Sequence, residues 1–228
     1  MAQRRHHYEQ AFEAYIRQQR IPYVAVNEAK KALLPAGASL RLLPADPESG
    51  IQSQSLKSFD FVVYGSGLNL LTEIKGRRLT PRSSRAAQLR PTTRRLESWV
   101  NADDVRSMLH WQALFGPEFR AVFVFLYWCD ELPADGLFEE IVEHRGRWYA
   151  LRAVAVDDYA RFMRVRSPRW GTVHVDGATF ARISHPFRGS LAGSESPLAG
   201  GDGGDGGDGG GGSAGIGHPP PALEPIGA

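Results

Sequence analysis

Three charged residues on two short apolar segments have the types and spacing of a metal-dependent hydrolytic site. Asp60 lies in segment 58–64, which is rich in aromatic and β-branched residues, and Glu73 and Lys75 lie in segment 68–75. Two facing carboxylates repel each other unless a cation lies between them, and hard oxygen ligands suit Mg²⁺ or Mn²⁺. A lysine beside such an ion can orient a water and offset the charge of a pentavalent phosphate. The set therefore indicates cleavage of phosphodiester bonds.

The two segments together predict a β-hairpin that brings the carboxylates close to each other. Gly65 and Gly67 form a turn signal between them. Because side chains alternate along a strand, Glu73 and Lys75 share one face, and we expect Asp60 to lie opposite Glu73. The alternative is an exposed ion pair between Glu73 and Lys75 on a half-buried strand, worth about 0–1 kcal/mol.

A further acidic pair lies on an amphipathic helix that the apolar spacing predicts over residues 5–20. Glu9 and Glu13 are four residues apart and flank the apolar stripe of this helix. A like-charged pair at this spacing destabilises an isolated helix by roughly 0.2–0.5 kcal/mol, which favours a positive charge nearby. The alternatives are ion pairs of Glu13 with Arg17 and of Glu9 with Arg5, both at helical spacing.

The patterns further along the chain predict the remaining elements around the hairpin. A helix is expected to begin at Asn101 or Asp103 and to end at Gly116-Pro117. The later predictions are a buried strand over 120–128, a hairpin over 139–156 that turns at Arg145-Gly146, a helix from Asp157-Asp158 through Arg166 and a short strand over 171–175. Residues 28–54 have the composition of an insertion packed on the sheet.

The order of these elements resembles the core of a known superfamily. A helix with an acid is followed by a strand, by the hairpin that carries Asp60 and Glu73-Ile74-Lys75, by a helix and by another apolar strand. This order, over residues 5–130, resembles the PD-(D/E)xK nuclease superfamily, in particular its archaeal Holliday-junction-resolvase-like branch. The string His7-Tyr8-Glu9-Gln10-Ala11-Phe12-Glu13 also resembles the name-giving motif of the bacterial HYExAFE family.

The resemblance implies roles for individual residues. Glu9 matches the acid of the first helix, Asp60 the motif aspartate, Glu73 the second metal ligand and Lys75 the catalytic lysine. The implied metal ligands are the side chains of Asp60 and Glu73 and the backbone carbonyl of Ile74, with Mg²⁺ or Mn²⁺ as the ion, and Glu13 is a candidate supporting residue behind them. Phe59 stands where the superfamily name has proline, a position that varies.

The resemblance also implies a fold and a function. The expected fold is α/β, with a mixed central sheet flanked by helices and the restriction-endonuclease-like order αβββαβ. The expected function is a Mg²⁺-dependent endonuclease acting on DNA, including branched or repair intermediates. The alternative is a nucleic-acid-binding module with the same fold and no turnover. DNA versus RNA and the formation of a homodimer stay open.

The segment 75–95 has the charge of a surface that meets a phosphate backbone. It holds eight basic residues and no acid. The alternative is a solvated charged loop, because arginine-rich loops also occur on proteins without a nucleic-acid partner. The candidate nucleic-acid-binding residues in this run are Arg77, Arg78, Arg82 and Arg85.

Composition divides the chain into two parts, a domain over 1–188 and a tail over 189–228. The tail holds 15 of the 25 glycines and five of the 25 acids, but no lysine or arginine, and is expected to be disordered. Residues 1–188 therefore carry all 27 basic residues against 20 acids, a net charge of +7.

Location follows from what the sequence lacks. No apolar run approaches the roughly 18–20 residues that cross a bilayer, and residues 1–7 are not followed by the apolar segment of a signal peptide. We therefore expect a cytoplasmic protein with no membrane partner. With Cys129 as the single cysteine, an internal disulfide and a thiolate metal cluster are excluded.

Overall fold

The computed structural model describes residues 3–33, 41–42, 54–79, 96–129 and 140–192. Its helices are α1 (Gln3–Gln18), α2 (Val26–Leu33), α3 (Ala102–Phe115), α4 (Val156–Phe162), α5 (Gly177–Ile183) and α6 (Phe187–Leu191). Its strands are β1 (Tyr23–Ala25), β2 (Arg41–Leu42), β3 (Gln54–Ser55), β4 (Phe61–Val63), β5 (Asn69–Arg78), β6 (Val100–Asn101), β7 (Phe119–Cys129), β8 (Ile141–His144), β9 (Arg147–Ala155), β10 (Arg164–Ser167) and β11 (Thr172–His174).

A six-stranded mixed sheet forms the centre of the described part, in the order β1-β4-β5-β7-β9-β8. Strands β5 and β7 are parallel, from the pair Asn69 and Phe119 to the pair Arg78 and Trp128, and the other neighbours are antiparallel. The expected αβββαβ order is formed by α1, β1, β4, β5, α3 and β7. Helix α2 and the β2–β3 pair are inserted after β1. The predicted mixed α/β sheet flanked by helices is therefore confirmed.

The central sheet is covered on both faces, and its strands divide their side chains between two apolar cores. On one face Phe12 of α1 packs with Leu70 and Ile74, and on the other Met108 of α3 packs with Leu71. Burying one such apolar side chain stabilises the fold by roughly 1.5–3 kcal/mol. From Ala121 to Cys129, strand β7 is an unbroken apolar run because both of its faces are buried. The sheet thus presents a rigid hairpin, β4–β5, between two helices.

Helix α3 and strand β8 end at the turn residues that the sequence predicts. Gly116, with φ of 87°, follows the last residue of α3, and Arg145 and Gly146, with φ of 53° and 70°, form the tight turn between β8 and β9. Asn101 occupies the position before α3 but makes no capping hydrogen bond with its side chain.

The helix predicted from Asp157 through Arg166 is wrong at its end. Helix α4 ends at Phe162, and the following residues form β10, which pairs with β11 in a second sheet of order β10-β11-β6. The ladder with β11 satisfies backbone groups that a longer helix would have paired internally, so tertiary pairing overrides the local helical pattern. The register shifts between Val165 and Ser167, which leaves Arg166 in a β-bulge.

The expected boundary at residues 188 and 189 falls inside α6. Phe187 of this helix is fully buried and Leu191 is 8% exposed, so the packed part continues to Leu191. Residues 193–228, which hold the rest of the predicted tail, lie outside the described residues, and the division into domain and tail stays a prediction. No helix of the described part is long and apolar enough to cross a membrane.

Candidate active site

The β4–β5 hairpin places Asp60 beside Glu73, as its sequence predicts. Phe61 pairs with Thr72 in the antiparallel hairpin, so the preceding residue, Asp60, lies opposite Glu73. The backbone N–H of Asp60 donates to the Thr72 carbonyl at 3.0 Å, and the Ile74 N–H donates to Asp60 Oδ2 at 2.7 Å. These bonds fix the Asp60 carboxylate beside β5, directly before the start of β4.

The Ile74 carbonyl points toward the same edge. In an extended strand the N–H and C=O of one residue point to the same side, and the Ile74 N–H points to Asp60. The backbone therefore offers an oxygen on the side of the Asp60 carboxylate, which is the place that the predicted metal-ligand role of Ile74 requires.

Lys75 lies between two carboxylates. Its Nζ donates to Glu73 Oε1 at 2.9 Å and to Asp104 Oδ2 at 2.6 Å, and it lies 5.6 Å from the centre of the Phe123 ring. The Lys75 and Asp104 side chains are each 11% exposed, so this ion pair is shielded from bulk water. A second lysine, Lys57, donates to Asp104 Oδ1 at 2.7 Å. The alternative of an exposed surface ion pair between Glu73 and Lys75 does not describe this network.

Asp104 is a site residue that sequence reasoning does not identify. It lies in the first turn of α3, where an aspartate normally serves the helix terminus, and the sequence gives Asp103 and Asp104 the same appearance. However, Asp104 is buried beside Val105 and on the same helix face as Met108. An acid on the apolar stripe of a helix is the signal that could have identified it.

Helix α1 brings Glu9 to the hairpin because Gly76 allows a close approach. The ring of Tyr8 lies where a side chain at Gly76 would be, 2.1 Å from the position of a Cβ. Glu9, Asp60, Glu73 and Lys75 then line one cavity of about 470 Å³. The structure thus brings together the four predicted catalytic residues. Sequence reasoning did not assign Tyr8, Trp99 and Asn101 to this cavity, which they also line.

Glu13 takes part in a separate ion pair. Its Oε1 accepts hydrogen bonds from Arg17 at 2.8 Å and from the Tyr23 hydroxyl at 2.7 Å, so the alternative of a Glu13–Arg17 pair is found. Glu13 lines an adjoining cavity together with Glu9 and Asp60. Its supporting role stays a prediction. Glu9 lies 3.4 Å from His6 Nδ1, and the side chain of Arg5, its alternative partner, lies outside the described ones.

Burial and neighbouring charges shift the pKa of the two hairpin acids and of the lysine in the site. Burial raises the pKa of Asp60 well above its ordinary value, and the nearby charge of Glu73 adds to this shift. Burial also raises the pKa of Glu73 despite the opposing charge of Lys75. Burial favours the neutral amine of Lys75, but Glu73 and Asp104 outweigh it and raise the pKa of Lys75. Lys75 is therefore a cation at neutral pH, and a second cation beside Asp60 would lower the electrostatic cost.

The contribution of Asp60 to the stability of the metal-free protein is expected to fall as the pH rises above 3.8, the ordinary pKa of an aspartate. Asp60 binds its proton more tightly in the folded than in the unfolded chain, so the stability it contributes is complete below 3.8 and lost as the pH rises through its raised pKa. Burial favours the neutral form of Asp104, but Lys75 and Lys57 outweigh burial and lower its pKa. The stability that Asp104 contributes is therefore lost only as the pH falls below 3.8. Urea unfolding with EDTA from about pH 4 to pH 8 measures the slope.

The matched variant for that series is Asp60→Asn, which cannot ionise. It should flatten the decline of the free energy of unfolding above pH 4. An unchanged decline in Asp60→Asn would show that the raised pKa belongs to another group.

The donor set fits a magnesium-type ion. Among the described residues, no group of three or more His, Cys, Asp or Glu side chains is arranged to hold a metal. Mg²⁺ does not need such a group, because it keeps several waters and takes one or two carboxylates. The carboxylates of Asp60 and Glu73 and the carbonyl of Ile74 are hard oxygen donors of the kind that such an ion takes. A bound cation would also stabilise the ionised form of both acids, whose pKa values are raised in its absence.

Two of the four predicted nucleic-acid-binding arginines, Arg77 and Arg78, line the cavity. Arg77 lies 3.9 Å from the centre of the Trp99 ring and donates to the carbonyls of Gly76 and Trp99, and burial lowers its pKa. Arg78 is exposed and lies 4.7 Å from the centre of the Trp128 ring. Arg77 therefore supports the local fold as well. Arg82 and Arg85 lie outside the described residues.

The comparisons with known proteins give a distant structural likeness. A scan against protein-family models finds no match to the chain, and a search of curated proteins finds no relative. Among solved structures the chain is similar to Hjc, a Holliday junction resolvase from the hyperthermophilic archaeon Archaeoglobus fulgidus, with 13% identity, a TM-score of 0.42 and coverage of 82% of this chain and 97% of that chain. Membership in the HYExAFE family stays a prediction, and at this distance a likeness carries no information about activity.

Proposed function

We propose that the chain is a divalent-metal-dependent nuclease that hydrolyses phosphodiester bonds in DNA. The observation that carries the proposal is the meeting of Asp60, Glu73, Lys75 and Glu9 in one cavity, with both acids of the hairpin held at raised pKa. A purely structural cluster would be expected to neutralise its buried acids with bases from the protein. Here the hairpin anchors Asp60 through a backbone N–H, and a bound ion would add positive charge beside its carboxylate.

Asp60, Glu73 and the Ile74 carbonyl would hold Mg²⁺ or Mn²⁺. When bound, such an ion lowers the pKa of a coordinated water and polarises a phosphoryl oxygen. Lys75 is the group that acts beside it. An ammonium has three N–H donors, and Lys75 directs two of them at Glu73 and Asp104. Its third N–H can hold the attacking water or a phosphate oxygen, and its positive charge offsets the charge that develops on the phosphate.

Asp104 is a positioning residue for this lysine. It binds Lys75 at 2.6 Å and is held in turn by Lys57, so the Lys75 ammonium has a defined place rather than a mobile one. Glu9 adds negative charge to the cavity and raises the pKa of Asp60 and Glu73. Glu9 thereby favours a cation in the cavity.

A nuclease assay tests the proposal. Labelled branched, nicked, linear duplex and single-stranded DNA, with an RNA of the same length, would be incubated with Mg²⁺, with Mn²⁺ and with EDTA. We expect cleavage of DNA that depends on the metal. Binding without cleavage of any substrate would favour the alternative function, a nucleic-acid-binding module of the same fold.

The basic residues of segment 75–95 are expected to make affinity for duplex DNA depend on salt. Arg78→Gln should lower the slope of log affinity against log salt by about 0.9 for each phosphate that the protein no longer neutralises, and weaken binding equally for different sequences. Arg82→Gln and Arg85→Gln are expected to act in the same way. Arg77 is left unchanged because it holds the Trp99 backbone.

The control for the salt series is Arg188→Gln. Arg188 is exposed on α6 and does not line the site cavity. Equal slopes for Arg78→Gln, Arg188→Gln and the parent chain would remove Arg78 from the DNA-binding surface.

A further inference from the structure

A second surface, which we call the Trp170 platform, adjoins the candidate active site. It consists of Trp99, Arg166, Arg169 and Trp170, which come from the residue before β6, from β10 and from the turn before β11. Trp99 and Asn101 line the active-site cavity and also a neighbouring cavity of about 500 Å³, which Arg166 and Trp170 line. The platform is therefore continuous with the site at which Asp60 and Glu73 meet.

The aromatic rings of the platform lie beside guanidinium groups. The guanidinium carbon of Arg166 lies 5.0 Å from the centre of the Trp99 ring, and that of Arg169 lies 5.3 Å from the centre of the Trp170 ring. Trp99 is fixed in place because its Nε1 donates to Glu97 at 3.1 Å. Trp170 is 69% exposed, so most of the indole surface is open to a ligand. Indole rings flanked by arginines suit flat π-systems that carry negative charge.

The backbone directs Arg166 at this surface. Val165 pairs with Val173 and Ser167 pairs with Thr172, so Arg166 is the additional residue of a β-bulge. A bulge re-aims a side chain away from the regular alternation of a strand. The irregularity thus lies at the residue that contacts Trp99.

The charge around the platform favours phosphates. Residues 161–182 contain five arginines and a single acid, Asp176, and Glu97, which accepts from Trp99, is a second acid beside the platform. Asp176 accepts a hydrogen bond from the Thr179 N–H at the start of α5, which engages its carboxylate locally. Clustered arginines of this kind attract a polyanion.

We propose that the Trp170 platform binds unpaired nucleotides of the nucleic-acid substrate next to the cleaved bond. A base would stack on Trp170 while Arg166 and Arg169 contact the adjacent phosphates. Inside a duplex each base is stacked on its neighbours, so only an unpaired or splayed base presents its face to an indole. The platform therefore selects substrates with a single-stranded segment beside the cleavage position. This inference rests on the proposed nuclease function.

Fluorescence anisotropy with the full chain tests the platform. The probes are labelled oligo-dT, an RNA oligo-U of the same length and a blunt DNA duplex, in EDTA so that no cleavage occurs. Trp170→Ala should lower affinity for the single strands by about 5- to 150-fold, the range for loss of one stacked base, and change duplex affinity by less than about twofold. Trp170→Phe should keep most of the single-strand affinity, because a phenyl ring also stacks.

Tyr64→Ala is the matched control, because Tyr64 is an exposed aromatic residue that does not line either cavity. Equal single-strand affinity in Trp170→Ala and the parent chain would overturn the platform, and so would an equal loss on single strand and duplex. Failure of the nuclease proposal looks different. In that case Mn²⁺ titration and cleavage are negative while the effect of Trp170→Ala on single-strand affinity remains.

Discussion

Replacing Asp60 with Asn or Glu73 with Gln is expected to abolish DNA cleavage and to remove binding of Mn²⁺, while the fold survives. Each change deletes one ligand charge and keeps the shape of the side chain. The local hydrogen bonds also survive, because an Asn at position 60 can still accept the Ile74 N–H and a Gln at position 73 can still accept from Lys75. Isothermal calorimetry with Mn²⁺ measures the binding loss, and gel assays measure the loss of cleavage.

The stability of the same two variants separates a functional site from a structural one. Because burial raises the pKa of Asp60 and Glu73, each wild-type carboxylate destabilises the metal-free protein when it ionises. Both variants should therefore be at least as stable as the parent chain at neutral pH in EDTA. Glu143→Gln is the control, since Glu143 is exposed on β8, does not line the site cavity and should leave Mn²⁺ affinity unchanged. If Asp60→Asn and Glu73→Gln bind Mn²⁺ like the parent chain, the metal site is misplaced.

Lys75→Ala is expected to lower turnover by about 10²-fold or more while Mn²⁺ affinity stays the same or increases. The ammonium acts on the water and on the charge that develops on the phosphate, so its loss affects the transition state rather than the ion. Its removal also takes a positive charge away from Glu73, which lies 2.9 Å from it. Single-turnover cleavage at saturating enzyme measures the chemical step, and calorimetry measures the metal.

Lys57→Ala is the matched control for Lys75→Ala. Both lysines bind Asp104, but Lys57 is 42% exposed at its side chain and does not line the site cavity. Its loss should reduce turnover much less than the loss of Lys75. Similar effects of the two substitutions would mean that Lys75 acts only through Asp104. Loss of Mn²⁺ binding in Lys75→Ala would assign the lysine a structural role.

The sequence predicts the hairpin and its chemistry because those signals are local. The Gly65 and Gly67 turn and the two-residue alternation of the strands set the register that places Asp60 opposite Glu73. Glu9 is found through the apolar period of its helix. That it reaches the same cavity depends on Gly76, whose contact with Tyr8 joins positions far apart in the chain.

Other parts of the site depend on contacts that no local pattern encodes. In the sequence Asp104 resembles an ordinary helix-terminal acid. Only the packing of α3 against the sheet places its carboxylate beside Lys75. The local pattern around Arg166 predicts a helix. The strand β10 forms instead because it pairs with β11, and that contact is not visible in the residues around Arg166. Trp99 gives no local signal because its neighbours, Arg77 and Arg166, come from two different strands. Sequence reasoning thus identifies the candidate ligands better than the residues that orient them.

The most direct test of the central claim, that Asp60 and Glu73 hold the catalytic ion beside Lys75, is anomalous scattering from crystals of the full chain grown with Mn²⁺. We predict a peak at a coordination distance of roughly 2.0–2.3 Å from a carboxylate oxygen of both Asp60 and Glu73, and no such peak in crystals of Glu73→Gln. A peak bound only by other carboxylates, or no peak at saturating Mn²⁺, would contradict the account.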